Sequence, residues 1–439
     1  MADLTSTFAG IKSPNPFWLA SAPPTDKAYN VVRAFEAGWG GVVWKTVGED
    51  PPIVNVNGPR YSALLSQDRR VIGFNNIELI SDRPLQVNLD EMRQVKRDWP
   101  DRAVLASLMV PCTEEDWRNV LKKVEDTGCD GVELNFGCPH GMSERGMGSA
   151  VGQVPEYIEM VAAWCKRHTK LPVIVKLTPN ITDIRNPARA AKKGGADAVS
   201  LVNTLNSIMG VDLERMTMLP STDGRGSHGG YCGYAIKPIA LNMVAEIARD
   251  EETRGLPISG IGGITTWRDA AEFIALGAGN VQVCTAAMVY GFKIIKDLTD
   301  GLANFMDEKG YRNVAAFHGR AVGTITDWQN LNLNHIEKAV INQDLCIQCG
   351  RCHVVCEDTA HQAISASLNG KRHFEVKDEE CVGCNLCVSI CPVTDCITMR
   401  SLKPGEIDAR TGMKATGTYG SWTTHPNNPM RKKEGDVPA

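Results

Sequence analysis

Apolar residues gather in eight short runs, over residues 17–22, 41–46, 103–109, 131–137, 172–178, 198–204, 257–262 and 280–286. Within a run they are consecutive instead of alternating, the pattern of strands covered on both faces. The stretches between them carry helical spacing. Residues 113–127 have Glu114 and Glu115 in the first turn, and 154–168 have Lys166, Arg167 and His168 in the last, the charge placement that suits a helix dipole. Eight β/α units closing near residue 300 predict an α/β fold, a (β/α)8 TIM barrel. An open doubly wound sheet is the alternative, but it calls for fewer strands and a GxGxxG turn after the first. The glycines at 146, 148 and 152 have the wrong spacing and no strand directly before them, so the chain is not expected to bind NAD itself. A hairpin is expected over 4–16, helix over 291–310 and 311–322, and a polar connection over 323–338. The expected domains are a catalytic barrel over 1–325, a ferredoxin-like module over 336–402 and an extended or disordered tail over 403–439.

Composition narrows the partners. With 43% hydrophobic and 22% charged residues and a net charge of −4, nothing draws the chain as a whole to nucleic acid or an anionic membrane. There is no apolar run of membrane-spanning length and no basic-then-apolar leader pattern, which predicts a cytoplasmic protein. Fifteen cysteines are many for a reducing compartment, but eight of them lie between 346 and 391 at regular intervals, which points to metal and not to disulfides.

Those eight form CxxCxxCxxxC twice: Cys346, Cys349, Cys352 and Cys356, then Cys381, Cys384, Cys387 and Cys391, followed by Pro392. The intervals suit two 4Fe-4S clusters in which the fourth ligand crosses over. One cluster is then expected on Cys346, Cys349, Cys352 and Cys391, the other on Cys381, Cys384, Cys387 and Cys356. A pair of zinc sites is the alternative, though zinc motifs more often pair two CxxC units across a longer gap. Glu357 stands where the first motif usually has proline, and Cys396 is left over as a packed thiol. Clusters carry electrons singly, so the barrel should hold a cofactor that exchanges one electron or two, and flavin is the candidate.

Active sites of TIM barrels lie at the carboxyl ends of the strands. Here those ends carry Lys45 and Thr46, Asn135 with Cys138, Lys176, Asn203 and Thr204, Gly262 and Gly263, and Cys284 with Thr285. Phosphate sites use the loops after strands seven and eight, here 260–265 and 283–286, and the glycines of 229–233 could add an edge. Lys176 is placed to stabilise an anionic reduced flavin, with Lys45 as a second cation. Taken alone, Asn135 and Cys138 could be a turn asparagine and a packed thiol. The glycine-rich stretch 141–152 reads as a lid carrying the cysteine into place.

The stretches Asn135-Phe-Gly-Cys-Pro-His-Gly, Lys176-Leu-Thr-Pro-Asn-Ile-Thr-Asp, Phe74-Asn-Asn-Ile-Glu-Leu-Ile-Ser and Arg33-Ala-Phe-Glu-Ala-Gly-Trp-Gly resemble the pyrimidine-reducing half of dihydropyrimidine dehydrogenase, in the dihydroorotate dehydrogenase superfamily of FMN barrels. The resemblance spans about residues 10–402 and includes the two-cluster module. It implies FMN held by Ser21, Lys45, Thr46, Lys176, Gly233, Ile261, Gly262, Gly263, Cys284 and Thr285. It implies a uracil or thymine ring lined by Asn76, Asn135, Phe136, Gly137, Asn203 and Thr204, with Cys138 as proton donor or acceptor. A thiol of ordinary pKa, about 8.5, is mostly protonated at neutral pH, which suits reduction. The resemblance further implies a separate FAD- and NADH-binding partner subunit (PreT-type), hence a hetero-oligomer. Gly137 departs from the Asn-Leu-Ser-Cys-Pro pattern of relatives and cannot supply its hydroxyl. Asn-x-Gly-Cys-Pro also resembles the tRNA dihydrouridine synthases, against which stand the acidic balance and the cluster module. Dihydroorotate dehydrogenase, and an electron-transfer subunit without catalysis, are further alternatives.

Overall fold

The computed structural model describes residues 2–49, 51–139, 145–367 and 372–431. It divides into two compact units, 1–324 and 325–439. In the first unit all eight apolar runs become strands: β1 (Phe17–Leu19), β2 (Gly41–Val47), β3 (Ala103–Leu108), β4 (Gly131–Asn135), β5 (Val173–Lys176), β6 (Ala198–Leu201), β7 (Ile258–Ile261) and β8 (Ala278–Val283). Each pairs in parallel with its neighbours in sequence, and β8 pairs with β1 to close a barrel. The crossover helices are α1 (Ala28–Ala37), α2 (Leu85–Asp98), α3 (Glu114–Glu125), α4 (Pro155–His168), α5 (Arg185–Lys193), α6 (Lys237–Arg249), α7 (Trp267–Ala275) and α8 (Ile294–Lys309). Thr113 caps α3, its hydroxyl accepting from the Asp116 N–H, and Pro155 opens α4 where a missing N–H costs nothing.

The two faces of the strands have different tasks. Outward residues such as Leu19, Trp44, Leu108, Leu134, Val175 and Val283 join the helices in the large core. Inward residues are apolar only at the amino-terminal end, where Trp18, Val43, Leu105, Ile174 and Ala198 pack with Phe8 and Ile11 of an antiparallel hairpin, Ser6–Phe8 with Ile11–Ser13. The hairpin plugs that end. Toward the carboxyl end the inward residues become Ser107, Glu133, Ser200, Ser259 and Gln282, all at most 1% exposed. A polar layer replaces the branched aliphatics that usually fill such a barrel.

A four-stranded antiparallel sheet (Tyr61–Leu65, Val71–Asn76, Gly229–Gly233 and Leu205–Ser207), not anticipated from the sequence, is built from the loops after β2 and β6. It brings Asn76 and Gly233 to the barrel mouth. Residues 311–322, expected as a helix, form only the short 3-10 turn Val314–Ala316 and the start of another, Val322–Thr324. Tyr311 and Phe317 stack at 5.4 Å and Gly319 takes a left-handed φ of +70°, so the chain turns to bury its rings instead of continuing a helix.

In the second unit, strands Glu337–Ile341 and Ile397–Ser401 pair, as do Ile364–Ser367 and His373–Val376, around a core of cysteines and small apolar residues. Residues 403–431, expected as an extended or disordered tail, make turns and contacts against this unit, with Asp408 2% exposed and paired with Lys338, and Leu333 donating its N–H to the Gly420 carbonyl. Residues 432–439 lie outside the described part. Among the described residues, no helix is long and apolar enough to cross a membrane.

Candidate active site and cysteine loops

The carboxyl ends of the strands surround a cleft of about 1110 Å³, part of it open to solvent. Ser21, Lys45, Thr46, Asn76, Asn135, Cys138, Lys176, Asn203, Thr204, Gly233, Ile261, Gly262, Gly263, Cys284 and Thr285 all line it. Two expected wall residues do not. Phe136 turns away into the core, edge-on to Trp117 at 6.0 Å, because it follows the strand's outward face. Gly137 lies behind Asn203: a Cβ there would stand 2.4 Å from the Asn203 Cβ. The missing hydroxyl therefore reflects close approach of Asn203 from the end of β6, two strands away in the barrel.

Strand register places Asn135 beside Lys176. From there a hydrogen-bond chain crosses the cleft wall. Asn203 Nδ2 donates to Asn135 Oδ1 at 2.9 Å, and Asn135 Nδ2 donates to Thr46 Oγ1 at 3.0 Å. Thr46 in turn shares hydroxyl contacts with Ser107 at 2.8 Å and Ser21 at 3.1 Å. Asn76 Nδ2 donates to the Gly230 carbonyl at 3.1 Å, a bond between two paired strands of the overlying sheet. Each carboxamide is thus oriented before anything binds. Cys138 follows, 8% exposed, in a small apolar cluster with Ile80, Met109 and Met147. Its carbonyl accepts from the Ser149 N–H at 3.1 Å. Of the expected lid over 141–152, residues 141–144 lie outside the described part, while Met147, Ser149, Val151 and Gly152 are buried.

Sequence reasoning named both lysines but missed their partners. Lys45 Nζ lies 2.6 Å from Glu78 Oε1, and Arg60 and the Tyr61 hydroxyl also reach Glu78. Burial would push the Glu78 carboxyl up, but Lys45, Tyr61 and Arg60 together hold it below the usual carboxylate range. Burial, then the Glu78 charge, pushes the Tyr61 phenol up. Lys176 Nζ lies 3.3 Å from Oε1 of the fully buried Glu133. Glu133 Oε2 accepts from Ser200 at 2.8 Å and Gln282 at 3.1 Å, so its position is set by the barrel's polar layer. A glutamate inside an apolar strand was the available signal for Glu133. For Glu78 it was membership of the Phe74–Ser81 stretch.

The loops after β7 and β8 close the other side. Gly233, Gly262 and Gly263 have φ of +113°, +137° and +71°. An added Cβ at Gly263 would meet backbone at 2.9 Å and one at Gly233 would meet it at 2.5 Å, so only glycine lets these backbones approach. Lys237 of α6 bonds Asp269 of α7, whose other carboxylate oxygen accepts from the Thr265 and Thr266 N–H groups at 2.9 and 2.8 Å. Burial raises the Cys232 and Cys284 thiols, with Cys232 adding to the rise at Cys284. Both stay protonated.

In the second unit, a cavity of about 360 Å³ is lined by Cys381, Cys384, Cys387 and, from the other motif, Cys356. Burial raises the Cys352 thiol, with the nearby Cys346 and Cys349 adding to the rise, and Cys396 has both Cys391 and Cys346 as neighbours.

Residues 3–306 match the family model for dihydroorotate dehydrogenase, and residues 339–399 match that of a 4Fe-4S dicluster domain. The chain belongs to the dihydroorotate dehydrogenase family. It is 41% identical over 412 residues to the NAD-dependent dihydropyrimidine dehydrogenase subunit PreA of Escherichia coli K12, covering 94% of this chain and 98% of that one. With the chloroplastic dihydropyrimidine dehydrogenase (NADP(+)) of Arabidopsis thaliana it shares 42% over 338 residues, 75% of this chain and 79% of that one. With the catalytic subunit of dihydroorotate dehydrogenase B (NAD(+)) of Pyrococcus abyssi it shares 36% over 313 residues, 71% and 97%. A crystal structure of Eimeria tenella DHODH in complex with ferulenol shares the fold, with a TM-score of 0.60 at 21% identity over 72% of this chain and 88% of that one.

The family binds flavin, and the cleft fits FMN. Its lining combines glycine backbones that no Cβ may fill, a lysine backed by a buried carboxylate, and Gln282, whose Oε1 is buried without a hydrogen-bond partner. In this family member the 4Fe-4S module fits as well, since soft thiolates line its cavity.

Proposed function

We propose that this chain is the catalytic subunit of a dihydropyrimidine dehydrogenase, reversibly reducing the C5=C6 bond of uracil or thymine, in the cytoplasm. Bound FMN supplies hydride chemistry at C6, and two 4Fe-4S clusters supply single electrons, received from NADH through a separate FAD-containing subunit of the PreT type. The observation that carries the reading is the convergence of three carboxamides, Asn76, Asn135 and Asn203, with Thr204 and Cys138 in one cleft.

A pyrimidine imide alternates acceptors and donors, which oriented carboxamides match in kind. An analogue lacking that edge would strand them, so they also discriminate. Cys138 holds a proton on sulfur and delivers it to C5 in the reductive direction; in reverse it removes that proton. Its apolar neighbours exclude water from the transfer. Ser21, Lys45, Thr46, Lys176, Gly233, Ile261, Gly262, Gly263, Cys284 and Thr285 hold the flavin.

Orotate suits the cleft less well. Among the described residues lining it, the cations are Lys45 and Lys176, and each already faces a carboxylate. A substrate carboxylate would find no unpaired cation and would meet Glu78. The test is anaerobic turnover of the iron- and flavin-replete chain with uracil, thymine, orotate and unmodified tRNA as separate acceptors. Reduction of the free neutral bases alone is expected; turnover confined to orotate or tRNA rejects the proposal.

A further inference from the structure

The segment after residue 402 reaches back to one of the cysteine loops through a single buried cation. Lys338, on strand Glu337–Ile341, is 2% exposed, and its ammonium has three partners: Asp408 Oδ1 at 2.7 Å, the Asp378 carbonyl at 2.8 Å and the Cys381 carbonyl at 2.7 Å. Three donors meet three acceptors. Asp408 is held in turn, Thr411 donating its hydroxyl to Oδ2 at 2.7 Å and Arg410 its N–H to Oδ1 at 3.2 Å. The strand also touches the loop directly, since a Cβ at Gly383 would stand 2.5 Å from the Glu337 carbonyl oxygen. Cys381 is the first thiol of the cavity that Cys384, Cys387 and Cys356 share.

We infer that Asp408 is a positioning residue for the iron–sulfur cluster carried by Cys381, Cys384, Cys387 and Cys356, acting through Lys338. The inference rests on reading those four thiols as one cluster's ligands. First, the ammonium ties the loop bearing Cys381 to the strand and to the tail, so the tail belongs to the cluster-holding structure. Second, Asp408 neutralises a buried cation one peptide group away from a ligand. Reduction adds negative charge to a cluster, and cluster potentials respond to nearby net charge and burial. Without Asp408, the Lys338 cation, still bonded to two carbonyls, favours the reduced state.

The experiment uses the full chain, reconstituted anaerobically, with redox titration followed by electron paramagnetic resonance. D408N should raise the midpoint potential of one cluster by at least the equivalent of tenfold in its reduced-to-oxidised ratio, about 59 mV for one electron, and leave the other unchanged. Removing both charges in K338M/D408N should bring that potential back toward the wild-type value, a reversal that a purely mechanical role would not produce. No shift in D408N, an equal shift of both clusters, or a double variant further displaced than D408N overturns the inference. Cys356→Ser tests the ligand reading separately, because it should perturb the same signal as D408N. If it perturbs the other signal, the crossed ligand set fails while the effect of Asp408 stands.

Discussion

Gly137 and Cys138 are adjacent, but they constrain the chemistry in different ways. A Cβ at 137 would stand 2.4 Å from the Asn203 Cβ, an atom too near the backbone to swing aside. Gly137→Ala should therefore displace Asn203, break its bond to Asn135 and raise KM for the pyrimidine about tenfold, ~1.4 kcal/mol, with FMN retained. Steady-state kinetics beside flavin absorbance would check this, and an unchanged KM would show that Asn203 does not clamp substrate. Cys138 makes little use of its position as a packing residue beyond the small cluster around Ile80 and Met109. Cys138→Ala should keep FMN and iron yet lose about 100-fold or more in turnover, the usual reach of a general acid; a rate near wild type removes its role. Much of this wall was legible in the sequence, because strand ends are the one place where Lys, Asn and Cys interrupt apolar runs. The counter-charges were not. Glu78 lies 33 residues from Lys45 and Glu133 lies 43 from Lys176, and no local spacing connects either pair.

At the scale of elements, the cleft depends on how α6 and α7 begin. Asp269 caps α7 by accepting from the Thr265 and Thr266 N–H groups and joins it to Lys237 on α6, so both helix starts and the Gly262–Gly263 turn move together. Burial opposes its charge, but Lys237 and the two N–H groups outweigh that and hold the carboxyl below its ordinary value of 3.8. A folded-state pKa below the unfolded one means that the stabilisation is fully present above about pH 3.8 and is lost as pH falls through the folded value. Asp269→Asn should lower stability at neutral pH by about 1–3 kcal/mol and flatten the acid limb of a stability–pH curve between about pH 5 and pH 2. Thermal unfolding of both proteins across that range would show it, and parallel acid limbs would contradict it. The eight barrel strands could be read ahead of the structure because burial on both faces makes them uniformly apolar. Strands Val71–Asn76 and Gly229–Gly233 could not, being half-buried and rich in Gly and Asn. The Asp408 anchor was equally hidden: one acid among many polar residues acquires meaning only through a lysine 70 positions earlier.

For the whole molecule, the division at 324/325 separates two kinds of chemistry. The barrel unit contains the carboxamides, the paired lysines and Cys138, the groups proposed to bind a pyrimidine and move its proton. The second unit has its own core and the eight motif cysteines, of which Cys349 and Cys384 are exposed. If its clusters serve only to deliver electrons, damage there should leave the barrel's half of the reaction intact. Cys384→Ala removes one proposed cluster ligand from a unit that does not supply the barrel's core. Turnover driven by NADH and the partner subunit should then fall to background. Chemically pre-reduced protein, mixed anaerobically with uracil, should still convert close to one equivalent of base per flavin in a single turnover, at a rate near that of the unaltered chain. Stopped-flow flavin absorbance with product quantification separates the two. Retained single turnover with lost steady-state activity assigns the cysteine loops to electron supply. Loss of both would mean that the clusters also support the barrel's chemistry or its flavin, and the delivery-only view would have to be abandoned.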